Sequence, residues 1–405
     1  MKNNRVFITG ISGFTGSHMA RRLLEQGASV SGLYRRRADG LMPHNLTYLG
    51  VDKDVTLLEG DLRDTSSVES ALEISKPDVI FHFAAQSFVQ RSFINPAETM
   101  DINCTGTSNL LEAVRTSGMD PVVVFAGSSE EYGLVIFAED QYRSILKKHG
   151  TVFPPPQHIP ELPVREENPL RPLSPYAVSK VYGDHLTRNY HISYGMRTIV
   201  SRGFNHEGAG RGIMYVTSSI AHQVVQLKHG ESDRIVVGNV NAFRDWSHID
   251  DVINGYCLLS KKGSPGDVYN QGAQRTNSVL TYLLLSLECA GYKVQRLRTI
   301  EGKRTIDDPA AADNQPMFGL SFEKTRADRL LLEGKARFDI TDRGIIVETD
   351  RGDVQVDFHP DLFRPSDVPI MLTSTEKIGS LGFKTDHSLR DIIADQLAYH
   401  ENLPL

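Results

Sequence analysis

Arg5-Val6-Phe7-Ile8-Thr9-Gly10-Ile11-Ser12-Gly13-Phe14-Thr15-Gly16 decides the fold of this chain. A strand-like run ends at Thr9, glycines follow at positions 10, 13 and 16, and a helical apolar pattern covers 14–26. This order aims the first backbone N–H groups of the helix, and the positive end of its dipole, at the space above the turn, where a pyrophosphate fits. Glycine also serves ordinary turns and tight packing. The position between strand and helix is what makes Gly10, Gly13, Phe14 and Gly16 candidates for holding a dinucleotide.

The alternation continues. Strand-like runs at Ser29–Tyr34, 55–58, 79–84 and 122–126 are separated by helical patterns at 67–74 and 103–117. Such βαβ order predicts an α/β fold, a Rossmann-type doubly wound parallel sheet with ligands at the carboxyl ends of its strands. We assign 1–204, with 239–275 returning to it, to the cofactor-binding domain. A smaller mixed α/β substrate-binding lobe takes 205–238 and 276–405. Two stretches break the rhythm. The first, 137–167, carries Pro154-Pro155-Pro156 and reads as a long loop with one short helix near 141–148, placed to cover the site or meet a neighbouring subunit. The second runs from 302 to about 357 and repeats Thr-Asp-Arg-Gly at 341–344 and 349–352. Alternating Ile345, Val347, Val354 and Val356 beside these turns predict a small β-meander at about 335–357.

Composition narrows the function. The chain has 405 residues, net charge −6, and basic residues dispersed except at Arg35-Arg36-Arg37, which argues against a nucleic-acid surface or a polybasic membrane anchor. Small-molecule partners are expected. Cys104, Cys257 and Cys289 fit no zinc spacing and cannot all pair, so no metal site and a reducing compartment are expected. No stretch approaches the roughly 20 apolar residues of a membrane span, and the first residues carry no leader pattern. A soluble, cytoplasmic protein is the expectation.

The second strand ends at Arg35, Arg36 and Arg37, where an NAD-type site would carry an acid for the ribose 2′-hydroxyl. Guanidinium groups there bind a 2′-phosphate instead, so the expected cofactor is NADP. Asp61, in Gly60-Asp61-Leu62 after the third strand, is placed to hydrogen-bond adenine, although as a turn residue it would need no function.

Chemistry enters with two further segments. In Ser174-Pro175-Tyr176-Ala177-Val178-Ser179-Lys180, Ser174 suits a helix cap and Pro175 the first helical position, so Tyr176 and Lys180 lie one turn apart on one face. An ammonium beside the phenol favours phenolate, a base for a hydroxyl proton; a lysine stem over an aromatic ring would give the same spacing without chemistry. Gly127-Ser128-Ser129-Glu130-Glu131-Tyr132-Gly133 follows the strand at 122–126, at the ligand edge. Ser128 is the expected donor to the reacting oxygen. Glu130 adds a carboxylate able to remove a proton beside a ketone and protonate a leaving hydroxyl, which means dehydration. Glu131 reads as a surface carboxylate.

With Phe81 through Gln86, Phe204-Asn205-His206-Glu207, Arg211-Gly212, Gly238-Asn239, Arg244-Asp245-Trp246-Ser247-His248 and Phe363-Arg364-Pro365-Ser366-Asp367, these segments resemble the nucleotide-sugar epimerase/dehydratases of the extended short-chain dehydrogenase/reductases. Within them the similarity is to the GDP-mannose 4,6-dehydratases. It spans residues 5 to 383, interrupted by the two insertions. The resemblance implies NADP held also by Leu62, Ala84, Ala85, Tyr176 and Lys180. It implies a nucleotide sugar contacted by Ser87, Ser128, Asn205, Arg211, Arg244 and Arg364, with the subunits forming a dimer or tetramer. It assigns Tyr176 to the C4 hydroxyl, Lys180 to the ribose, Ser128 to the sugar oxygen and Glu130 to C5 and C6. Glu130 serves twice because Ser129 stands where the related dTDP-glucose enzymes carry an Asp. His206 and His248 read as structural. The chain departs from the pattern at Val216-Thr217-Ser218-Ser219, where those enzymes have Val-Thr-x-Lys, which leaves base and hexose open. Rival readings are a UDP-glucuronate decarboxylase, a 4-epimerase, a 4-ketoreductase, or a catalytically silent NADP-binding regulator. Arg35 to Arg37 and Arg244-Asp245-Trp246 weigh against the decarboxylase, Glu130 against the 4-epimerase and 4-ketoreductase, and the joint presence of Ser128, Glu130, Tyr176 and Lys180 against the silent regulator.

Overall fold

Short apolar strands alternating with helices bury both of their faces only when helices cover the sheet on either side, and the chain adopts that arrangement. The computed structural model describes residues 1–36, 38 and 40–403; Arg37 lies outside the described residues. Arg5–Thr9 (β1), Ser29–Tyr34 (β2), Thr56–Glu59 (β3), Val79–His82 (β4), Val122–Ser128 (β5) and Thr198–Gly203 (β6) join Val268–Gln271 in one seven-stranded parallel sheet. Across the sheet the order is Val268–Gln271, β6, β5, β4, β1, β2, β3, so the winding reverses between β1 and β4. A crevice opens at that reversal, above Thr9 and His82, which are paired in register.

Alternation along β1 decides which side chains meet which helices. Val6 and Ile8 join Met19, Leu23, Val252 and Tyr256 on one face. Phe7 points the other way, to Ile80, Leu110 and Val123. Each such buried side chain contributes about 1.5–3 kcal/mol. The helix expected at 103–117 begins at Gly106, after a π-helical turn, Asp101–Thr105. Asn103 in that turn accepts from Gln86 N at 2.8 Å and donates to Ser179 Oγ at 2.8 Å, tying the crevice wall to the helix of Tyr176.

The remaining chain forms a five-stranded mixed sheet in the order Thr305–Asp307, Val294–Thr299, Gly344–Thr349, Gly352–Phe358, Arg234–Val237. Helices Val216–His229, Val279–Cys289 and Leu389–Glu401 share its core, with Leu280, Leu283, Val347, Val356 and Ile392 at the centre. Of the two Thr-Asp-Arg-Gly copies, the second turns the hairpin from Thr349 to Gly352. The first forms a single 3₁₀ turn, Ile340–Asp342, closed by Arg343 at φ 60°. In the first insertion, helix Glu139–His149 buries none of its residues. The return of that loop is pinned by Arg171 and Glu161, a buried bidentate pair at 2.8 Å. Among the described residues no helix is long and apolar enough to cross a membrane, and the three cysteines are free.

Candidate active site

A cavity of about 990 Å³ runs from the glycine turn, along the carboxyl ends of the strands, to Arg364. Its glycine-turn end is built of backbone. Gly10 has φ +73°, and a Cβ there would meet Ala84 N and Cα at 2.9 Å; a Cβ on Gly16 would meet Gly10 O at 2.2 Å. Helix Phe14–Glu25 starts at Gly13, which has no side chain to cap it, so its first N–H groups lack a capping acceptor. Bare donors at the mouth of a groove that no side chain narrows fit a pyrophosphate. Arg35, Asp61, Leu62, Ala84 and Ala85 line the same end. Arg63 holds the Asp61 carboxylate through Nη2 at 2.8 Å and Nε at 3.1 Å, and this hydrogen bonding keeps the carboxyl below its usual range. Arg36 lies outside the lining: its guanidinium is 76% exposed and 3.9 Å from Glu59.

The stretch of the cavity at the end of β5 is set by one cap and one helix. Ser128 closes β5 and caps the 3₁₀ turn Ser129–Glu131: its Oγ accepts from Glu130 N at 3.2 Å, while its own N–H donates to Glu131 Oε1 at 2.7 Å. Helix Pro175–Tyr194 begins as the sequence predicts, with Pro175 in the first turn and Ser174 Oγ accepting from Ala177 N at 3.1 Å. Such a cap contributes about 1 kcal/mol. Tyr176 and Lys180 face inward, 9% and 5% exposed. Lys180 Nζ donates to Ala126 O at 2.8 Å and lies 6.0 Å from the centroid of the Tyr176 ring.

The electrostatics correct one expectation. Burial pushes the Tyr176 phenol up rather than down; the hydrogen bond with Ser128 opposes burial without overcoming it. Lys180 turns its ammonium to the Ala126 carbonyl, and burial lowers its pKa to about 8, with Glu131 working against that loss. A second correction concerns Glu131, which is fully buried against Arg202 rather than on the surface. Glu130 lines the cavity, its carboxylate 3.6 Å from Arg364 Nη1.

The far end gathers arginines. Arg244 is fastened by Asp367 at 2.8 Å and by the carbonyls of Val368 and Phe243 at 2.7 and 2.9 Å. Burial alone would raise the Asp367 carboxyl, but the Arg244 and Arg364 guanidinium groups outweigh it and hold it below its usual range. Arg211 lies 3.5 Å from the centroid of the Tyr215 ring, with Nε 3.2 Å from Glu207. The Tyr215 hydroxyl meets Ser87 Oγ at 2.8 Å. Ser87, Asn205, Arg211, Arg244 and Arg364 therefore line one cavity with Ser128, Tyr176 and Lys180. Ser219 lines it with an uncharged side chain where the motif has Lys. His206 bonds Thr15 Oγ1 at 3.0 Å and the Phe204 carbonyl at 3.1 Å, and burial lowers its pKa to about 4. His248 stacks on His387 at 4.0 Å. Neither insertion contributes a lining residue.

Sequence reading passed over Asp367, Tyr215, Asp184, Arg202 and the burial of Glu131. Two of these carried a signal. Ser128-x-x-Glu131 is a capping box, and Asp184 follows Lys180 by one helical turn.

Residues 6–272 match the model of the NAD dependent epimerase/dehydratase family. A GDP-mannose 4,6-dehydratase of Yersinia enterocolitica is 31% identical over 97% of this chain and 93% of its own length. GDP-mannose 4,6 dehydratase 1 of Arabidopsis thaliana is 33% identical over 70% of this chain and 74% of its own. The structure of RMD from Pseudomonas aeruginosa complexed with NADPH superposes with a TM-score of 0.67 at 22% identity, covering 98% of this chain and 99% of that one. With the glycine turn, the capped Ser128 and the Tyr176/Lys180 helix all opening on one cavity, this chain belongs to the NAD dependent epimerase/dehydratase family.

Proposed function

We propose that the chain is a nucleotide-sugar 4,6-dehydratase that converts a GDP-mannose-like NDP-hexose to the NDP-4-keto-6-deoxyhexose, with NADP as internal redox carrier. The observation that carries this reading is a carboxylate, Glu130, lining the same cavity as Ser128, Tyr176 and Lys180. Oxidation or epimerisation at C4 uses the last three alone; elimination of water across C5 and C6 needs the fourth. Relatives named GDP-mannose 4,6-dehydratase support it.

Ser128 binds the C4 oxygen, and Tyr176 removes its proton as the phenolate, which the positive charge of bound NADP+ would favour against the burial that raises the phenol. NADP, held at the glycine turn and by Lys180, would supply the redox chemistry of an internal hydride transfer from C4 to C6, so that no external reductant would be consumed. Lys180, already turned toward the cavity wall at Ala126, holds the ribose side. Glu130 takes the C5 proton, acidified by the new ketone, and passes a proton to the departing C6 hydroxyl; when C6 takes the hydride, C5 takes back a proton drawn from solvent. Arg211, Arg244 and Arg364 bind the diphosphate. Arg35 at the end of β2 supports NADP over NAD through the 2′-phosphate. A dimer or tetramer is the proposed assembly.

The test is incubation with NADP+ and a panel of GDP-, UDP-, dTDP- and CDP-sugars, following product mass and nicotinamide absorbance. Dehydration removes one water and leaves no net NADPH. Loss of carbon dioxide would make the protein a decarboxylase, an unchanged mass an epimerase, and no turnover of any sugar would favour the silent regulator.

A further inference from the structure

Behind the catalytic turn lie three charged side chains almost sealed from solvent: Glu131, Arg202 and Asp184. Buried charges are costly unless tied to one another, and here each tie leads back to the reacting groups. Ser128 N–H donates to Glu131 Oε1 at 2.7 Å, fixing the peptide that carries the Ser128 hydroxyl. The same oxygen would be 2.7 Å from a Cβ on Gly127, the neighbour of Ala126, whose carbonyl takes the hydrogen bond of Lys180 Nζ. On the other side, Arg202 Nε gives its hydrogen to Asp184 Oδ2 at 2.8 Å and stands 3.4 Å from Glu131 Oε2. Arg202 Nη1 donates to the Tyr132 hydroxyl and the Glu166 carbonyl, both at 2.9 Å. Asp184 Oδ1 is taken by Arg188 at 2.6 Å. Glu131 Oε2 is buried with no hydrogen bond, and the Arg202 guanidinium at 3.4 Å is the cation that faces it.

We propose that Glu131 is a positioning residue of the reaction: it holds the Ser128 turn through the backbone N–H and, once ionised, keeps the proton on Lys180. The inference rests on the dehydratase reading for its kinetic test alone. The groups facing Glu131 are Arg202 from β6, Asp184, Tyr176 and Lys180 from helix Pro175–Tyr194, and Tyr132 of its own turn. Burial, then the charge of Asp184, push its carboxyl up, and burial draws the Lys180 ammonium down to about 8. The negative charge of Glu131 favours the proton on Lys180. Its charge therefore bears on the deprotonation of Lys180, which lies on the alkaline side.

Glu131→Gln keeps an oxygen for Ser128 N–H and removes the charge; Glu131→Leu removes both. For Glu131→Gln the alkaline limb of kcat/KM against pH moves down by about one unit while the acid limb and circular dichroism stay. For Glu131→Leu the plateau also falls by more than about tenfold. A merely structural role would lower the plateau of both variants without moving either limb, and superimposable limbs overturn the proposal. Trace acetylation of Lys180 by acetic anhydride, read by mass spectrometry across pH, needs no substrate. Its midpoint falls in Glu131→Gln; an unchanged midpoint overturns the proposal even where the wild type turns over sugar. Absence of wild-type turnover counts against the dehydratase reading and leaves the labelling result to decide Glu131. If Glu131→Gln does not fold, Asp184→Asn carries the test. It lets Glu131 ionise at lower pH and moves the labelling midpoint up, and no movement is a refutation.

Discussion

Gly13→Ala and Gly16→Ala should separate cofactor binding from stability, although the two residues lie in one turn. At Gly16 the new Cβ would stand 2.2 Å from Gly10 O and 2.8 Å from Gly10 C and Ile11 Cα, all backbone atoms. Ordinary contact begins near 3.4 Å, so the turn must open by about 1.2 Å, an overpacking that costs about 1–3 kcal/mol. Better helix propensity returns up to about 1 kcal/mol of this. At Gly13 the Cβ would meet only Gly10 O, at 3.3 Å, and the backbone there, φ −82° and ψ 174°, suits alanine. Loss of glycine at the cap position, a few tenths to about 1 kcal/mol, is offset by the lower entropy of the unfolded chain. Gly13→Ala should therefore unfold within about 1 °C of wild type, and Gly16→Ala about 1–3 °C lower. Both should lose NADPH affinity, Gly13→Ala by about 10- to 100-fold, because a methyl group stands where the phosphate must approach the helix N–H groups. Differential scanning calorimetry and NADPH fluorescence titration read the two quantities on the same samples. A Gly13→Ala protein that bound NADPH like wild type would refute the placement of the pyrophosphate at this turn. Equal destabilisation of both variants would refute the steric reasoning.

Glu130→Gln should retain oxidation at C4 but lower kcat by about 10²- to 10⁴-fold and stop deuterium entry at C5 in heavy water; exchange at the wild-type rate would remove Glu130 from the C5 step. Arg35→Ala should weaken NADP by roughly tenfold relative to NAD, whereas Arg36→Ala, whose side chain points to Glu59, should barely discriminate; equal loss for both cofactors would sink the 2′-phosphate argument. His82 and His206 are held neutral by burial, at about 3 and about 4, below the value near 6.5 of an unfolded histidine. The unfolded chain thus binds more protons in that window, and stability falls with pH below about 6.5 by about 1.4 kcal/mol per unit for each ring. A thermal midpoint flat from pH 7 to 5.5 would contradict their neutral burial.

The parts of this protein that local patterns encode were legible, and the parts that depend on burial were not. Strand β1, the glycine turn and helix Phe14–Glu25 follow from periodicity and caps, which act over a few residues. Ser174-Pro175 started its helix where the cap rules place it, and so delivered Tyr176 and Lys180 together. The direction of the Tyr176 shift failed because spacing puts an ammonium near a ring but says nothing about how much water the phenol loses, and desolvation is the larger effect. Glu131 failed for the same reason from the opposite side. Next to Glu130 it looks like one more loop carboxylate, and its burial is tolerable only because Arg202, far away in sequence, arrives on β6 beside it. The Ser128-x-x-Glu131 spacing nonetheless fits a capping box, a signal that the reading of Glu131 as a surface carboxylate did not use. A glutamate whose carboxylate must reach back to the N–H of Ser128 at the carboxyl end of a central strand lies against the sheet, and a sheet covered on both faces leaves it no water. The cap and the sheet topology, taken together, thus imply a buried carboxylate in need of a cation, an inference that neither pattern supports alone.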